Sequence, residues 1–497
     1  MASSRRLRAF KRWMSSSSVL YSPDALLFTD DPDRGISAFA LRDLREGEVV
    51  ASIPKSSCLS VITSGAREIV RQAGLEGILA LSVTLMYEIS LGEESPWAGY
   101  LQLLPPAECL PLLWSVPEID RLLLGTELHS TVKEDKAHIY NDWKEFILPL
   151  VDSQSSKLKP EFFGIDQYLA ARSLIASRSF QIDKHHGSGM VPLADLFNHK
   201  TGAEDVHFTT SSDSEDSDED SNGSVVEDGP PFPDVTGSTV DDDKTEILAP
   251  LEEDSPVLEM ILVKDVQAGN EVFNTYGTLG NAALLHRYGF TEEGNPFDLV
   301  NIDVELVLQW SSSAFSNRHS RARLSSWRRL GYSGCVSQGS EYFEVSYDGE
   351  PQFELVVLLY VILLQEDAHR ALDLAIATGQ HSALSRALQK TLEQEDELPG
   401  KTTDNEDQFL TEGVCDALLA LTGIRDSLYG PNSLEDDVEA LRGCCPVRER
   451  KEYHSLALRV SERRILDRLR RYAAAAAAAE ELRCRGNSRR RKQPRKG

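Results

Sequence analysis

Two short segments hold the residues best suited to chemistry: Val191-Pro192-Leu193-Ala194-Asp195-Leu196-Phe197-Asn198-His199, and Asn274-Thr275-Tyr276-Gly277, with Tyr288-Gly289-Phe290 shortly after. A carboxylate, an amide and an imidazole lie close together in the first, and two phenols in the second. His199 near Asp195, or the pair His185-His186, could suggest a metal, but that spacing is weak and a hydrogen-bonded structural role is the simpler reading. A phenol of pKa about 10 is a poor resting base at neutral pH, though it can donate hydrogen bonds and wall an aromatic channel. Taken singly, Tyr276 or Tyr288 would read as a core residue with a polar handle. The chain has no G-x-x-x-x-G-K-[ST], G-x-S-x-G or H-E-x-x-H, so nucleotide hydrolysis, serine hydrolysis and zinc proteolysis lack their usual marks.

A chain of 497 residues with 41% hydrophobic and 7% aromatic residues can bury real cores and exceeds what one core usually organises. The net charge of -27 is concentrated: the stretch from Glu204 to Asp254 holds 18 acids and one lysine, Lys244, and so supplies -17 of it. That run would repel phosphate, and no nucleic-acid partner is expected except through the C-terminal tail. The seven cysteines lack C-x-x-C or Cys/His zinc spacing, which fits reduced thiols inside a cell. No stretch approaches the roughly 20 apolar residues that cross a bilayer, so no membrane partner is expected. The first 20 residues are basic and serine-rich, which suits an organelle transit peptide; a helix of the folded domain is the equal alternative. Arg483, Arg485, Arg489 to Lys492, Arg495 and Lys496 form a basic tail at 483–497, which reads as a nuclear address, a nucleic-acid patch or plain solvation. Nucleus or cytoplasm is the favoured compartment, with the chloroplast as the third option.

The elements that must position these residues alternate in type. Ile36–Leu41 and Gly47–Ile53 read as a β-hairpin, and Val257–Val263 with Glu271–Tyr276 as a second strand pair. A helical block at about 66–182 lies between them, its last helix running from Gln167 to Phe180. Residues 204–254, with Ser211 to Asp220 reading SSDSEDSDED, look like an acidic, mostly disordered insertion. Beyond Phe290 the periodicity is helical over Phe353–Ala377, Ala383–Gln394, Asp407–Thr422 and Arg448–Arg483, the last including the alanine run Ala473–Ala479.

Taken in order, Arg34-Gly35-Ile36, Ser177-Arg178-Ser179-Phe180, Asp195-x-x-Asn198-His199 and Tyr276 with Tyr288-Gly289-Phe290 resemble the SET-domain class that includes the Rubisco large-subunit lysine methyltransferase. The resemblance is specific for the combination, not for any one motif. It implies an α+β fold in which a β-rich SET domain, at 21–300, is split by the helical insert and followed by an all-α substrate-binding domain at 301–482. It also implies S-adenosylmethionine as methyl donor and a protein substrate, non-histone or histone, that carries the target lysine. Carried over by position, Arg34, Gly35, Ile36, Arg178, Asn198 and His199 are similar to donor-binding residues. Arg178, Asp195, Phe208, Tyr276 and Tyr288 are similar to acceptor-side residues, with Tyr276 the catalytic-channel tyrosine.

Phe208 stands where the class commonly has a tyrosine, which leaves the degree of methylation open. Two other readings stand beside lysine methylation: histidine methylation, an activity of the same class, and a non-catalytic interaction module. Methyl transfer from a sulfonium to an amine is an in-line displacement, so alignment is the large term. Tyrosine hydroxyls and backbone carbonyls supply it without a metal or a covalent intermediate.

Overall fold

The computed structural model describes residues 4–31, 35–154, 156–210, 256–337, 339–378 and 409–491. The chain divides into two compact units, Met1–Ile119 with Ser130–Glu292, and Asp120–His129 with Glu293–Gly497. Arg34, most of the acidic run and the expected helix Ala383–Gln394 lie outside the described residues.

In the first unit, a helix over Arg5–Ser16 starts where the Ser4 hydroxyl accepts the Leu7 amide, and Leu7, Phe10 and Met14 bury one stripe in the core. The basic N-terminal segment is therefore built into this unit. Next come β1 (Leu20–Tyr21), β2 (Leu26–Asp31), β3 (Gly35–Ala40), β4 (Val49–Pro54) and β5 (Leu59–Ser60). After the helical insert follow β6 (Ser179–Asp183), β7 (Gly187–Met190), β8 (Val206–Thr210) and β9 (Val257–Leu262). They form small antiparallel sheets in the orders β1-β4-β9-β8, β2-β3 and β5-β7-β6.

Two strand pairings differ from the sequence reading. β3 pairs with β2 and β4 pairs with β9, so Ile36–Leu41 and Gly47–Ile53 are not a hairpin. The connection between them is pinned elsewhere: the Leu44 and Val266 amides donate to each other's carbonyls at 2.8 and 3.0 Å. Residues 271–276 make only isolated bridges, Phe39 to Glu271 and, in parallel, His199 to Asn274. Alternation specifies which face of a strand is buried, not which strand lies beside it. The acidic segment also begins later than 204, because residues 206–210 pair with β9 as β8.

Within the insert, the helix Gly77–Leu91 packs against the helix Ile165–Arg178. Glu88, fully buried on the former, accepts from Ser64 Oγ at 2.6 Å, Ser95 Oγ at 2.7 Å and the Gly65 amide at 3.1 Å. Those three donors offset the cost of burying its charge. The later helix ends at Arg178 rather than Phe180, since Ser179 turns extended (φ -83, ψ 151) and opens β6.

The second unit is mostly helical but adds an antiparallel sheet absent from the sequence reading. It is built from β10 (Val300–Asp303), β11 (Cys335–Ser337) and β12 (Ser340–Val345) in the order β10-β12-β11. The expected helix Phe353–Ala377 is two, Phe353–Leu363 and Glu366–Ala377, because Leu364 is extended (φ -54, ψ 138). The apolar helix Phe353–Leu363 is buried on nearly every face, which explains its continuous hydrophobic run. Further helices run over Glu412–Ser427 and Leu434–Gly443, and the last continues past the expected end, over Arg450–Arg491. No helix among the described residues is long and apolar enough to cross a membrane.

Candidate functional site

The two motif segments meet in the first unit. Leu193, buried and at φ +83, is a non-glycine residue in the left-handed region, and it starts the tight turn Ala194–Leu196. Such a conformation costs on the order of 1–3 kcal/mol and persists only where the surroundings impose it. Beyond the turn, the Asn274 amide donates to the Asn198 carbonyl at 2.8 Å. The Asn198 side-chain amide reaches Glu271 Oε1 at 2.7 Å, Ser37 Oγ at 3.0 Å and the Ile36 carbonyl at 3.3 Å. One asparagine thus ties the start of β3 to both motifs. Gly35, at φ +82, has open space where a Cβ would stand, so the backbone beside Ile36 is approachable.

His199 acts as a strut. Its Nδ1 accepts the Tyr276 backbone N–H at 2.9 Å, which leaves the ring proton on Nε2, 3.1 Å from Thr201 Oγ1. Burial lowers the His199 pKa, and nearby Glu292 offsets part of that, so the ring is neutral. Tyr276 is stacked between His199 and Tyr288, with centroids 4.9 and 4.4 Å away. Its hydroxyl donates to the Phe197 carbonyl at 3.2 Å. Burial, with Tyr288 as the next contribution, pushes the Tyr276 phenol well above its ordinary pKa. The phenol is therefore protonated at neutral pH and held by its hydrogen bond.

Tyr288 closes the helix Asn281–Tyr288, and Gly289 caps it in the left-handed conformation (φ 75, ψ 25), turning the chain to Phe290. Phe290 lies 6.1 Å from His199 and 6.4 Å from Tyr288, so the aromatic group closes on itself. Thr201 and Asn281 hold the following segment: the Thr201 amide donates to Glu292 Oε2 at 3.2 Å, and Asn281 exchanges hydrogen bonds with the Glu292 backbone at 2.7 and 2.8 Å.

Arg178 and Asp195 form the second half of the site. Arg178 Nη1 donates to the Asp195 carbonyl at 3.2 Å and to Oδ2 at 3.3 Å, while Nε donates to Glu108 Oε1 at 2.6 Å. The Tyr100 hydroxyl also donates to Asp195 Oδ2, at 2.8 Å. Desolvation raises the fully buried Asp195 carboxyl, and Arg178 is the largest opposing influence. Phe208, on β8, meets Phe180 edge-on at 5.2 Å.

Of the described residues singled out from the sequence, Ile36, Asn198, His199, Tyr276 and Tyr288 are joined by direct contacts, with Gly35 next to Ile36 in the chain, and Arg178 and Asp195 by an ion pair, whereas Phe208 meets Phe180 and none of the others. Glu108, Tyr100, Glu271 and Glu292 hydrogen-bond to residues of the candidate site and carry no motif signal of their own. Glu271 and Glu292 lie beside recognised motifs; Glu108 and Tyr100 stand alone in the sequence. Among the described residues no group of three His, Cys, Asp or Glu side chains is placed to hold a metal.

No family model matches the chain. Among curated proteins it is similar to ribosomal lysine N-methyltransferase 3 of Saccharomyces cerevisiae, 26% identical over 340 residues, covering 56% of this chain and 60% of that protein. It is also similar to N-lysine methyltransferase setd6 of Xenopus tropicalis, 27% identical over 301 residues and covering 57% and 56%. The matches span less than two thirds of the length of these relatives. Among solved structures, the SET domain of LSMT bound to MeLysine and AdoHcy superposes with TM-score 0.63 at 17% identity, covering 97% of this chain and 94% of that one. Rubisco LSMT bound to AdoMet gives 0.60 at 17% identity over 96% and 94%. The chain has the α+β fold of these LSMT SET-domain structures, with the helical insert and the helical C-terminal region that accompany it.

Proposed function

We propose that this chain is an S-adenosylmethionine-dependent protein-lysine N-methyltransferase. The observation that carries the reading is the stack Tyr288-Tyr276-His199, anchored at the Phe197 carbonyl and the Tyr276 amide, in a fold shared with structures solved with AdoMet and with lysine. S-adenosylmethionine, when bound, supplies a methyl group on a positively charged sulfur. The chain must present a neutral amine in line with that methyl and exclude water.

The residues fit the donor. The backbone at Gly35 and Ile36 is open to approach, Asn198 is locked by its side chain so that its main chain is fixed, and neutral His199 adds no charge to repel a sulfonium. We assign Gly35, Ile36, Asn198, His199 and the main chain of Arg178 to the donor, with Arg34 preceding them in sequence. Asp195, Arg178, Tyr276 and Tyr288 form the acceptor floor and wall, and Phe208 a further aromatic face. Tyr276 positions the amine and stabilises developing charge; its raised pKa argues against proton removal by this phenol. No two of the six described cysteines are joined in a disulfide, which supports an intracellular protein substrate.

The test is thermal unfolding with S-adenosylhomocysteine. At 100 times the dissociation constant, binding to the folded state alone stabilises by about 2.7 kcal/mol, several degrees in Tm. Tyr276→Phe should keep that shift and lower turnover by on the order of 100-fold with labelled donor and a cell extract. No shift in the wild type would refute the proposal; unchanged turnover in Tyr276→Phe would refute the role of Tyr276.

A further inference from the structure

Arg178 is held between two carboxylates, with Glu108 Oε1 2.6 Å from its Nε and Asp195 Oδ2 3.3 Å from its Nη1. Asp195 Oδ2 also takes the Tyr100 hydroxyl, whereas Asp195 Oδ1 is buried with no hydrogen-bond partner among the described residues. By formal charge, one guanidinium against two carboxylates leaves one negative charge over, on a cluster in which the Asp195 carboxylate is fully buried and Arg178 and Glu108 mostly so.

The surrounding groups do not cancel it. The Arg6 guanidinium faces Arg178 but is taken up by Asp30, at 2.8 Å from its Nε. Burial keeps the phenols of Tyr100 and Tyr276 neutral and pushes the Cys58 thiol up to about 12. Lys55, near Cys58, is matched by Asp183 at 2.8 Å.

Glu108 is fixed from both sides. Its amide donates to Ser173 Oγ at 3.0 Å on the helix that carries Arg178. The next carbonyl, that of Cys109, lies against Gly289, 2.7 Å from where a Cβ would stand. The loop is thus wedged between Arg178 and the turn that bears Tyr288 and Phe290.

We propose that Glu108 is a positioning residue that keeps the acceptor floor anionic, so that the site selects a cationic side-chain amine over a neutral imidazole. This rests on the methyltransferase reading above and sharpens its acceptor class. A fixed negative charge favours the ammonium form on entry and raises the pH at which the bound amine becomes neutral and reactive. Replacing Glu108 by a neutral isostere removes that bias, so the acid limb of the kcat profile moves to lower pH. Damage to the fold alone would lower kcat without moving the limb.

The experiment uses the full chain with Nα-acetyl-L-lysine and Nα-acetyl-L-histidine as probes. Wild type saturated with S-adenosylhomocysteine should bind the lysine probe more tightly than the histidine probe, with affinity falling as pH rises toward the amine pKa of about 10.4. Glu108→Gln should narrow that preference about 3- to 10-fold and shift the acid limb of lysine methylation down by about one pH unit, while Glu108→Asp retains the wild-type limb. Lysine-probe affinity that rises with pH in the wild type would overturn the proposal without any variant. Superimposable profiles for wild type and Glu108→Gln, with the S-adenosylhomocysteine shift intact, would overturn the role of Glu108 and leave the methyltransferase reading standing. Loss of that shift in the wild type would overturn both.

Discussion

Gly289→Ala is the sharpest probe of how the wall of the site is set. Gly289 sits at φ +75, and a Cβ there would stand 2.7 Å from the Cys109 carbonyl oxygen and 3.2 Å from its carbon. The left-handed conformation costs an alanine about 1 kcal/mol. The obstacle is backbone rather than the end of a flexible side chain, so relieving it requires the chain at Cys109 or the turn itself to shift, at roughly 1–3 kcal/mol more. A total of about 2–4 kcal/mol corresponds to a loss of roughly 5–12 °C in Tm for a unit of this size. Gly269→Ala is the control: it has a similar dihedral, φ +85, with nothing within 4 Å, so it should lose only the first part, about 1 kcal/mol. Thermal unfolding of both variants measures the difference, and steady-state methylation should fall at least about 10-fold in Gly289→Ala alone, because displacement of Tyr288 misaligns the acceptor. Equal losses of Tm and activity in the two variants would show that contact with Cys109 does not set the position of the wall.

Two further outcomes follow from charge placement. Asn198→Asp sets a second carboxylate against Glu271, which now accepts the Asn198 amide at 2.7 Å; relative to wild type the variant should lose more Tm at pH 7.5 than at pH 4.5, where protonation relieves the repulsion. A deficit independent of pH would mean that the Asn198-Glu271 contact does not bear on stability. In the second unit, burial depresses His454 from 6.5 to about 4, so stability held by its neutral form is fully present above pH 6.5 and is lost as pH falls toward 4, by about 3 kcal/mol. Burial of Glu462 works in the opposite sense, raising its pKa so that stability falls as pH rises from about 4.5. His454→Asn should therefore turn a shallow pH dependence of Tm between 4.5 and 6.5 into one that declines with rising pH; an unchanged profile would remove His454 from the account.

Local order was legible because single segments encode it. The unbroken apolar run Leu355–Ile362 and the alanine run within Arg450–Arg491 each state a helix without reference to distant chain, whereas the basic composition of the N-terminal segment suited a transit peptide as well as the helix Arg5–Ser16. Strand partners were not legible. β4 finds β9 more than 200 residues away, and its alternation would have served a hairpin equally well. The break at Leu364 is equally hidden, since nothing in an apolar run announces where the helix must turn to enter the next packing layer.

The site was legible where residues cluster and illegible where they act alone. Asn198, His199, Tyr276 and Tyr288 stand in two short motifs, and their contacts with one another follow from the single bridge between His199 and Asn274. Glu108 and Tyr100 come from the insert, 70 and 95 residues from the partners they hold, and neither has a neighbour in sequence that marks it. Position in the motifs marks Arg178 for both donor and acceptor and Asp195 for the acceptor, but does not say what keeps their charges in place. A buried guanidinium cannot remain unpaired, and the same holds for a buried carboxylate. Once Arg178 and Asp195 are placed inside the unit, physical chemistry requires further polar partners close by, and the helical insert is the element that delivers them. The insert therefore contributes side chains to the site proposed for methyl transfer, and sequence changes around Tyr100 and Glu108 should alter acceptor preference before they alter donor binding.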